Sequence, residues 1–113
     1  MVPHMPGKFQ LRQTSDNQFI FNLKAGNGEI ILTSERYTSK SSALSGIASV
    51  KTNSPNDDRY DRRTAKDNSP YFVLKAANGE ITGKSEMYSS KPAMENGIDS
   101  CKRNGPTAEV VEE

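Results

Sequence analysis

The sequence predicts an α+β fold built from two similar halves, each with three antiparallel strands followed by one helix. The first observation is a duplication. Shifting the 113-residue chain by 51 positions, without gaps, aligns residues 9–55 with residues 60–106, and 22 of these 47 positions are identical. The second observation is that the spacing of apolar residues changes within each half from a period of two to a helical period. A repeat of this size indicates one supersecondary unit per copy, and two copies suit a pseudo-symmetric pair.

Alternating side chains predict the first strands. Apolar and polar residues alternate over residues 9–13 and again over residues 19–25. In the second of these segments Phe19, Phe21 and Leu23 share one face, as expected for a strand that is buried on one side.

A hairpin is predicted after the second strand. The Asn-Gly pair at residues 27–28, repeated 51 residues later, is typical of a two-residue type I′ turn, which requires positive φ at both residues. Counting outward from this turn pairs Ala25 with Ile30 and Leu23 with Leu32. The apolar face of the second strand would then continue onto the third.

A helix is predicted after Tyr37 and at the equivalent place in the second copy. Ser39 and Ser90 are suitable N-caps, and Asn53 and Asn104 suit a left-handed residue at the helix end. Apolar side chains with helical spacing give each helix one stripe for burial, formed by Ala43, Ile47 and Val50 in the first copy and by Met94, Ile98 and Cys101 in the second.

The two copies are expected to form one fused domain. No flexible Gly/Ser spacer separates them, and a unit of 51 residues buries little apolar surface by itself. Residues 56–60 align with residues 107–111, so a short extended segment is expected after each helix, and in the first copy it is expected to run straight into the next strand. The predicted divisions are a tag-derived or disordered start at 1–7, a first repeat at 8–57, a second repeat at 58–111 and a tail at 112–113.

The doubled motif resembles the YegP-like family, small bacterial proteins of uncharacterised function, in its duplicated form. The resemblance is carried by LKAGNGEIILTSERYTSK at residues 23–40 and LKAANGEITGKSEMYSSK at residues 74–91, and it extends over about 100 residues. It implies two β3-α-β units fused into one antiparallel sheet, with both helices on one face and the C-terminal strands exchanged between copies. The family carries no established catalytic residues to transfer.

Composition and charge exclude several classes of protein. Fifteen Lys and Arg against fourteen Asp and Glu give a net charge of +1, without the basic excess of a dedicated nucleic-acid binder. No apolar run approaches the roughly 20 residues that span a bilayer. Because no such run and no signal peptide is present, a cytoplasmic location without membrane association is expected, and the single Cys101, which can form no internal disulfide, agrees with it. The internal duplication predicts a monomer.

The residues predict no catalysis, metal site or cofactor. His4 is the only histidine and lies in the expected tag, so no imidazole is available for acid–base chemistry. Cys101 lies on the apolar stripe of the second helix and is predicted to be an inert core residue. Asp57, Asp58 and Asp61 are a weak metal candidate, because adjacent carboxylates on a strand point to opposite faces.

Glu35 with Tyr37, and Glu86 with Tyr88, form one candidate binding site because both copies retain them. A functional interpretation makes each a polar pair beside a helix N-terminus, where it would bind a ligand or a peptide backbone. A structural interpretation is favoured, with Tyr packed under the strand-to-helix connection and Glu accepting local backbone N–H groups.

The sheet face away from the helices is the other candidate. A plain solvated face, a protein-binding surface and an aromatic and basic platform for single-stranded nucleic acid remain alternatives. The chain is predicted to be a non-enzymatic interaction or stress-related accessory protein, with nucleic-acid binding as the alternative. Alternation places on this face Ile20, Asn22, Lys24, Ile31 and Thr33 of the first copy and Tyr71, Val73, Lys75, Thr82 and Lys84 of the second, of which Lys24, Lys75, Tyr71 and Lys84 are candidate contacts.

Overall fold

A computed structural model describes residues 7–112, so most of the expected tag, His4 included, lies outside the described residues. Strands and helices follow the predicted order in both copies. Their bounds are β1 Lys8–Gln13, β2 Phe19–Lys24, β3 Ile30–Ser34, α1 Lys40–Asn53, a 3₁₀ turn η1 Asp57–Arg59, β4 Tyr60–Thr64, β5 Pro70–Lys75, β6 Ile81–Lys84, α2 Lys91–Asn104 and β7 Glu109–Glu112.

One continuous sheet contains the strands of both copies. Their order across the sheet is β4-β5-β6-β3-β2-β1-β7. Neighbouring strands are antiparallel throughout, apart from β1 and β7, which are parallel. The predicted α+β architecture of two fused repeats is confirmed.

Both helices pack against the sheet and reach across the boundary between copies. Helix α1 contacts β2 of its own copy and also β5 and β6, while α2 contacts β5 and also β2 and β3. The helical stripes predicted from the sequence are buried in one shared core. Neither half therefore has a separate core, which explains why the chain has no linker. Within residues 7–112, no helix has the length and apolar character that crossing a membrane would require.

Strands β3 and β6 meet at the centre of the pseudo-symmetric sheet. Thr33 faces Lys84 across this junction, and Ser34 faces Gly83. Leu32 and Gly83 occupy equivalent positions in the two copies, but a Cβ added to Gly83 would lie 2.6 Å from Cγ of Leu32. Only one of the two copies can place a large side chain here, because two such side chains would overlap.

The turn between β2 and β3 is longer than predicted. The N–H of Ala25 donates to the carbonyl of Glu29 at 2.9 Å, and the N–H of Gly28 donates to Ala25 at 2.9 Å. Gly28 alone is left-handed, with φ of 86°. This is a type I turn closed by a left-handed glycine, so the prediction of a type I′ turn is wrong. Asn27 instead accepts the N–H of Glu29 through its side chain at 3.0 Å.

This turn changes the strand register beside it. Leu23 faces Leu32 as predicted, but Lys24 rather than Ala25 faces Ile30, and the register shifts between Leu23 and Lys24. Ile31 falls at this bulge and joins the core, so its placement on the helix-free face is wrong. At the equivalent bulge Thr82 is also buried and donates to the carbonyl of Leu74 at 3.0 Å.

Both helices begin as predicted and end differently. The side chains of Ser39 and Ser90 accept the N–H groups of Ser42 and Ala93, which confirms the two N-caps. Asn53 and Asn104 are right-handed helical residues, so the prediction of a left-handed helix end is wrong. Each side-chain amide donates back to a carbonyl four residues earlier, at 2.8 and 2.9 Å, and so satisfies the last turn of its helix.

The segments after the two helices have different structures. In the second copy β7 crosses to the first copy and pairs with β1 in parallel, from Lys8 facing Glu109 to Leu11 facing Glu112. This is the exchange that the resemblance implied. In the first copy the extended segment expected at residues 56–60 is instead the turn η1, since the chain must enter β4 within a few residues of α1.

Candidate binding surfaces

The serine of each repeated Ser-Glu-x-Tyr segment closes the end of a strand. Ser34 Oγ accepts the N–H of Phe21 at 2.9 Å and donates to the carbonyl of Glu35 at 2.7 Å. Ser85 forms the same two bonds in the second copy, with Phe72 at 2.9 Å and Glu86 at 2.8 Å. These hydroxyls are therefore fully used by the fold.

Each tyrosine of the segment packs between an aromatic ring and a helix. Tyr37 is stacked on Phe21, with ring centroids 6.1 Å apart and planes inclined by 11°. Tyr88 is stacked on Phe72 in the same way, at 6.3 Å and 12°. The hydroxyl ends of the two rings lie against helix glycines, where a Cβ would meet the ring itself. These contacts agree with the structural interpretation of the two tyrosines.

The glutamates beside these tyrosines remain on the surface. Glu35 and Glu86 are exposed, and neither carboxylate accepts a hydrogen bond from the described part of the chain, so the interpretation in which they bind local backbone N–H groups is wrong. Burial raises the pKa of Tyr88 to about 12, with smaller contributions from Cys101, Glu86 and Glu29. Burial, Glu35 and Glu80 likewise raise the pKa of Tyr37. Because Glu29 and Glu80 each belong to the other copy, each tyrosine lies near the hairpin of the opposite repeat.

A groove of about 840 Å³ lies where the first hairpin approaches α2. Its lining includes Glu29, Glu86 and Met87, of which Met87 is 46% exposed. The repeated hairpin and the repeated Glu-x-Tyr segment thus meet across copies rather than within one copy.

The helix-free face, formed by outward-pointing side chains of the sheet, is named the open face. Cross-strand pairing and alternation place on it six basic and two acidic strand residues. The basic residues are Lys8, Arg12, Lys24, Arg63, Lys75 and Lys84, and the acidic residues are Asp61 and Glu109. Three of the six cations, on β1 and β4, were not among the predicted contacts, although the same alternation in those strands would have placed them here.

The four predicted contacts on the open face have different surroundings. Lys84 Nζ lies 5.1 Å from the ring centroid of Tyr71, and Lys75 Nζ lies 3.5 Å from Asp61. Lys24 is half-buried and forms no ion pair within residues 7–112. Lys24 and Lys84 are therefore the two lysines whose charge is least offset by acidic neighbours.

The centre of the open face is closed to solvent. Val73 is 2% exposed and Asn22 is 7% exposed, and the Asn22 side chain donates to Thr33 Oγ1 at 2.8 Å. A partner would therefore contact charged side chains at the margins of this face more than apolar area at its centre.

The cysteine is buried, and two of the candidate aspartates form ion pairs. Cys101 is buried, and burial raises the pKa of its thiol to about 12, so the thiol stays protonated at neutral pH. Asp57 binds Lys102 at 2.7 Å and Arg62 at 3.0 Å, and Asp61 binds Arg63 at 2.9 Å. Within residues 7–112, no cluster of three or more His, Cys, Asp or Glu residues could hold a metal ion.

Comparison with known proteins finds the same duplication elsewhere. A family model described as a domain of unknown function, DUF1508, matches residues 15–61 and again residues 65–112. A UPF0339 protein of Bordetella pertussis is 61% identical over 104 residues, covering 92% of this chain and 93% of the relative. The UPF0339 protein YegP of Escherichia coli K12 is 57% identical over 106 residues, covering 94% and 96%.

Two solved structures share the fold. The solution structure of a UPF0339 protein from Shewanella oneidensis has a TM-score of 0.90 at 55% sequence identity, covering 96% of this chain and 92% of that one. The solution structure of yegP from Escherichia coli, titled a protein of unknown function, has a TM-score of 0.92 at 54% identity, covering 99% and 97%.

Proposed function

We propose a function for this chain from its surface, because it belongs to the DUF1508 family of duplicated YegP-like proteins, whose matched relatives are named as being of unknown function. The proposed function is that of a non-enzymatic accessory module that binds an acidic protein partner through its open face. The observation that carries this proposal is the separation of charge. The open face has an excess of four positive charges, while the whole chain has a net charge of only +1. The remaining surface is therefore net negative.

The positive charge of the open face favours an anionic partner, because it steers an acidic surface toward that face. The compensating negative charge lies mainly in turns and loops, since α1 and α2 together carry five basic and two acidic residues. The exposed cations at the margins would increase the association rate more than the affinity. An apolar contact is available from Val111, which is 40% exposed on the same face.

Single-stranded nucleic acid is the second candidate because Tyr71 lies beside two cations. Lys84 Nζ is over its ring, and Arg63 faces Tyr71 across the β4–β5 pair. Stacking platforms for single strands use successive aromatic rings, however, and Tyr71 is the single aromatic residue that alternation places on the open face among the described strands. The acidic protein is therefore the better match.

The test compares two charge-matched double variants in affinity capture from a lysate of the native host. Lys24→Glu with Lys84→Glu reverses charge on the open face, and Lys66→Glu with Arg103→Glu makes the same change in net charge in the β4–β5 turn and on α2. We expect the control variant to retain, and the open-face variant to lose, acidic proteins that elute as salt is raised.

Nuclease treatment separates the two candidates. Loss of the captured material after treatment, together with direct binding of a single-stranded oligonucleotide that weakens steeply with salt, would favour nucleic acid over protein. Equal capture by the two double variants would show that the open face is not the binding surface.

A further inference from the structure

The outer sides of β1 and β4 are equivalent strand edges of the sheet, and among the described residues only that of β1 is paired with a further strand. By the 51-residue repeat, β4 is the counterpart of β1. The outer side of β1 is covered by β7 in parallel. Strand β4 is the last strand at the other edge, and among residues 7–112 no strand pairs with its outer side.

The second edge lacks a strand because the chain has used that segment elsewhere. Residues 58–61 are the counterpart of β7, but they form the end of η1 and the start of β4 itself. A segment that continues directly into β4 cannot also lie beside β4. The duplication therefore made two acceptor edges and left one free covering strand.

The covered edge shows what such an acceptor binds. Glu109 faces Lys8 in the parallel register, and Glu112 forms an ion pair with Lys40, the first residue of α1. Val110 and Val111 lie between these two acids. The bound strand thus has an acidic residue at each end and two apolar residues between them.

Cations lie at the equivalent positions beside β4, in η1 and α2. Arg59 precedes β4 where Lys8 begins β1, and its guanidinium donates to Asn53 Oδ1 at 3.0 Å. Lys91 begins α2 where Lys40 begins α1. Lys91 is exposed and has no ion pair within the described residues, whereas its counterpart is paired with Glu112. The carboxylate that Glu112 supplies to Lys40 therefore has no counterpart beside Lys91 among the described residues.

We propose that the outer edge of β4 is an acceptor site for an extended segment of another protein, which adds in parallel and carries an acidic, two apolar and an acidic residue in sequence. Main-chain hydrogen bonds would give affinity, and the two terminal acids would set register. The charged side chains of β4 discourage apolar or basic strands, as edge strands commonly do, without opposing an acidic one. This site is the backbone edge of β4, whereas the open face is formed by side chains, including those of Asp61 and Arg63 on the same strand.

A second copy of this chain is a poorer occupant. Its own matching strand is already paired with its own β1, in a register of four residues, and would have to leave that position first. A strand supplied by a different protein carries no such cost.

The test uses a synthetic peptide with the sequence of residues 107–113, TAEVVEE, added to the isotope-labelled full chain. A matched control peptide replaces its three glutamates with lysine. The peptide is titrated up to about 5 mM, a range suited to a site with a Kd on the order of 1 mM. We expect the amide chemical shifts of Tyr60–Thr64 and Lys91 to change during this titration. The Lys91→Glu variant should bind about two- to five-fold more weakly, while Lys51→Glu, with the same charge change on α1, should bind as the parent does.

Several results would overturn the proposal. These are no shift changes with TAEVVEE, equal binding of the lysine peptide, unchanged affinity in Lys91→Glu, or changes confined to β1 and β7, which would mean that the peptide only displaces β7. Concentration-dependent shifts at both β4 and β7 without peptide would assign the edge to a second copy instead.

Discussion

Replacing Gly97 with alanine should destabilise the fold, although alanine is the better helix former. Gly97 lies in the middle of α2, and a Cβ added there would meet the hydroxyl end of Tyr88 and lie 2.6 Å from its Cζ. Carbon atoms pack at about 3.5 to 4.0 Å, so the ring would have to move by about 1 Å. Its stacking on Phe72 leaves little freedom for that movement.

The size of the effect follows from opposing contributions. Helix propensity favours alanine by about 1 kcal/mol. Overpacking costs about 1 to 3 kcal/mol, and a disturbed aromatic pair costs about 0.5 to 1.5 kcal/mol. We therefore expect Gly97→Ala to lower the free energy of unfolding by about 0.5 to 3.5 kcal/mol, with a fall in Tm of roughly 5 °C for each kcal/mol.

Urea denaturation of four proteins would measure this effect: the parent, Gly97→Ala, Tyr88→Phe and the double variant. Removing the Tyr88 hydroxyl removes the nearest contact, so the alanine should cost about 1 kcal/mol less in that background. Asn96→Ala, at an exposed position of the same helix, is the control for propensity and should be neutral or stabilising. A Gly97→Ala protein as stable as the parent, with no coupling to Tyr88, would refute the packing argument.

Three further predictions concern the turn, the sheet centre and the buried thiol. Gly28→Ala should lower the free energy of unfolding by about 1 to 2 kcal/mol because φ there is 86°, whereas Gly26→Ala, in the same turn, should leave it unchanged or raise it by up to about 1 kcal/mol. Equal shifts of the two variants in thermal melts would show that the turn assignment is incorrect. Gly83→Ala should lower the free energy of unfolding by about 1 to 3 kcal/mol. In the double variant with Leu32→Ala the loss should be smaller than the sum of the two single losses, which a double-mutant cycle in urea measures. The pKa of Cys101 is raised from 9.0 to about 12 in the folded protein, so its contribution to stability is complete below pH 9 and is lost as pH rises toward 12. Urea unfolding should therefore show a lower free energy of unfolding at about pH 11 than at about pH 8, and Cys101→Val should reduce this difference. An equal difference in the two proteins would contradict the argument.

Sequence reasoning predicted the elements of this fold because each is determined locally. Alternation, N-cap serines and the helical stripe were sufficient to place six strands and both helices. The turn type was missed because Asn-Gly suits two kinds of hairpin. In this one the Asn27 side chain accepts a local N–H, so that only Gly28 needs a left-handed backbone.

The candidate surfaces depend on contacts between copies, which spacing along the chain does not reveal. Glu29 and Tyr88 are far apart in sequence and belong to different repeats, yet the central β3–β6 pairing brings hairpin and tyrosine together. The 3₁₀ turn after α1 was missed for a related reason, although the continuation of that segment into the next strand was predicted. Aligned residues in two copies need not share a structure when one copy must continue into a further strand.

The measurement that tests the proposed function most directly is amide hydrogen exchange of this protein with and without the acidic partner obtained by capture. We expect slower exchange in β1, β2, β4, β5 and β6, which carry the cations of the open face, and no change in α1 or α2. Slower exchange confined to the helices or to the groove at Tyr88, with the open-face strands unaffected, would contradict the proposal.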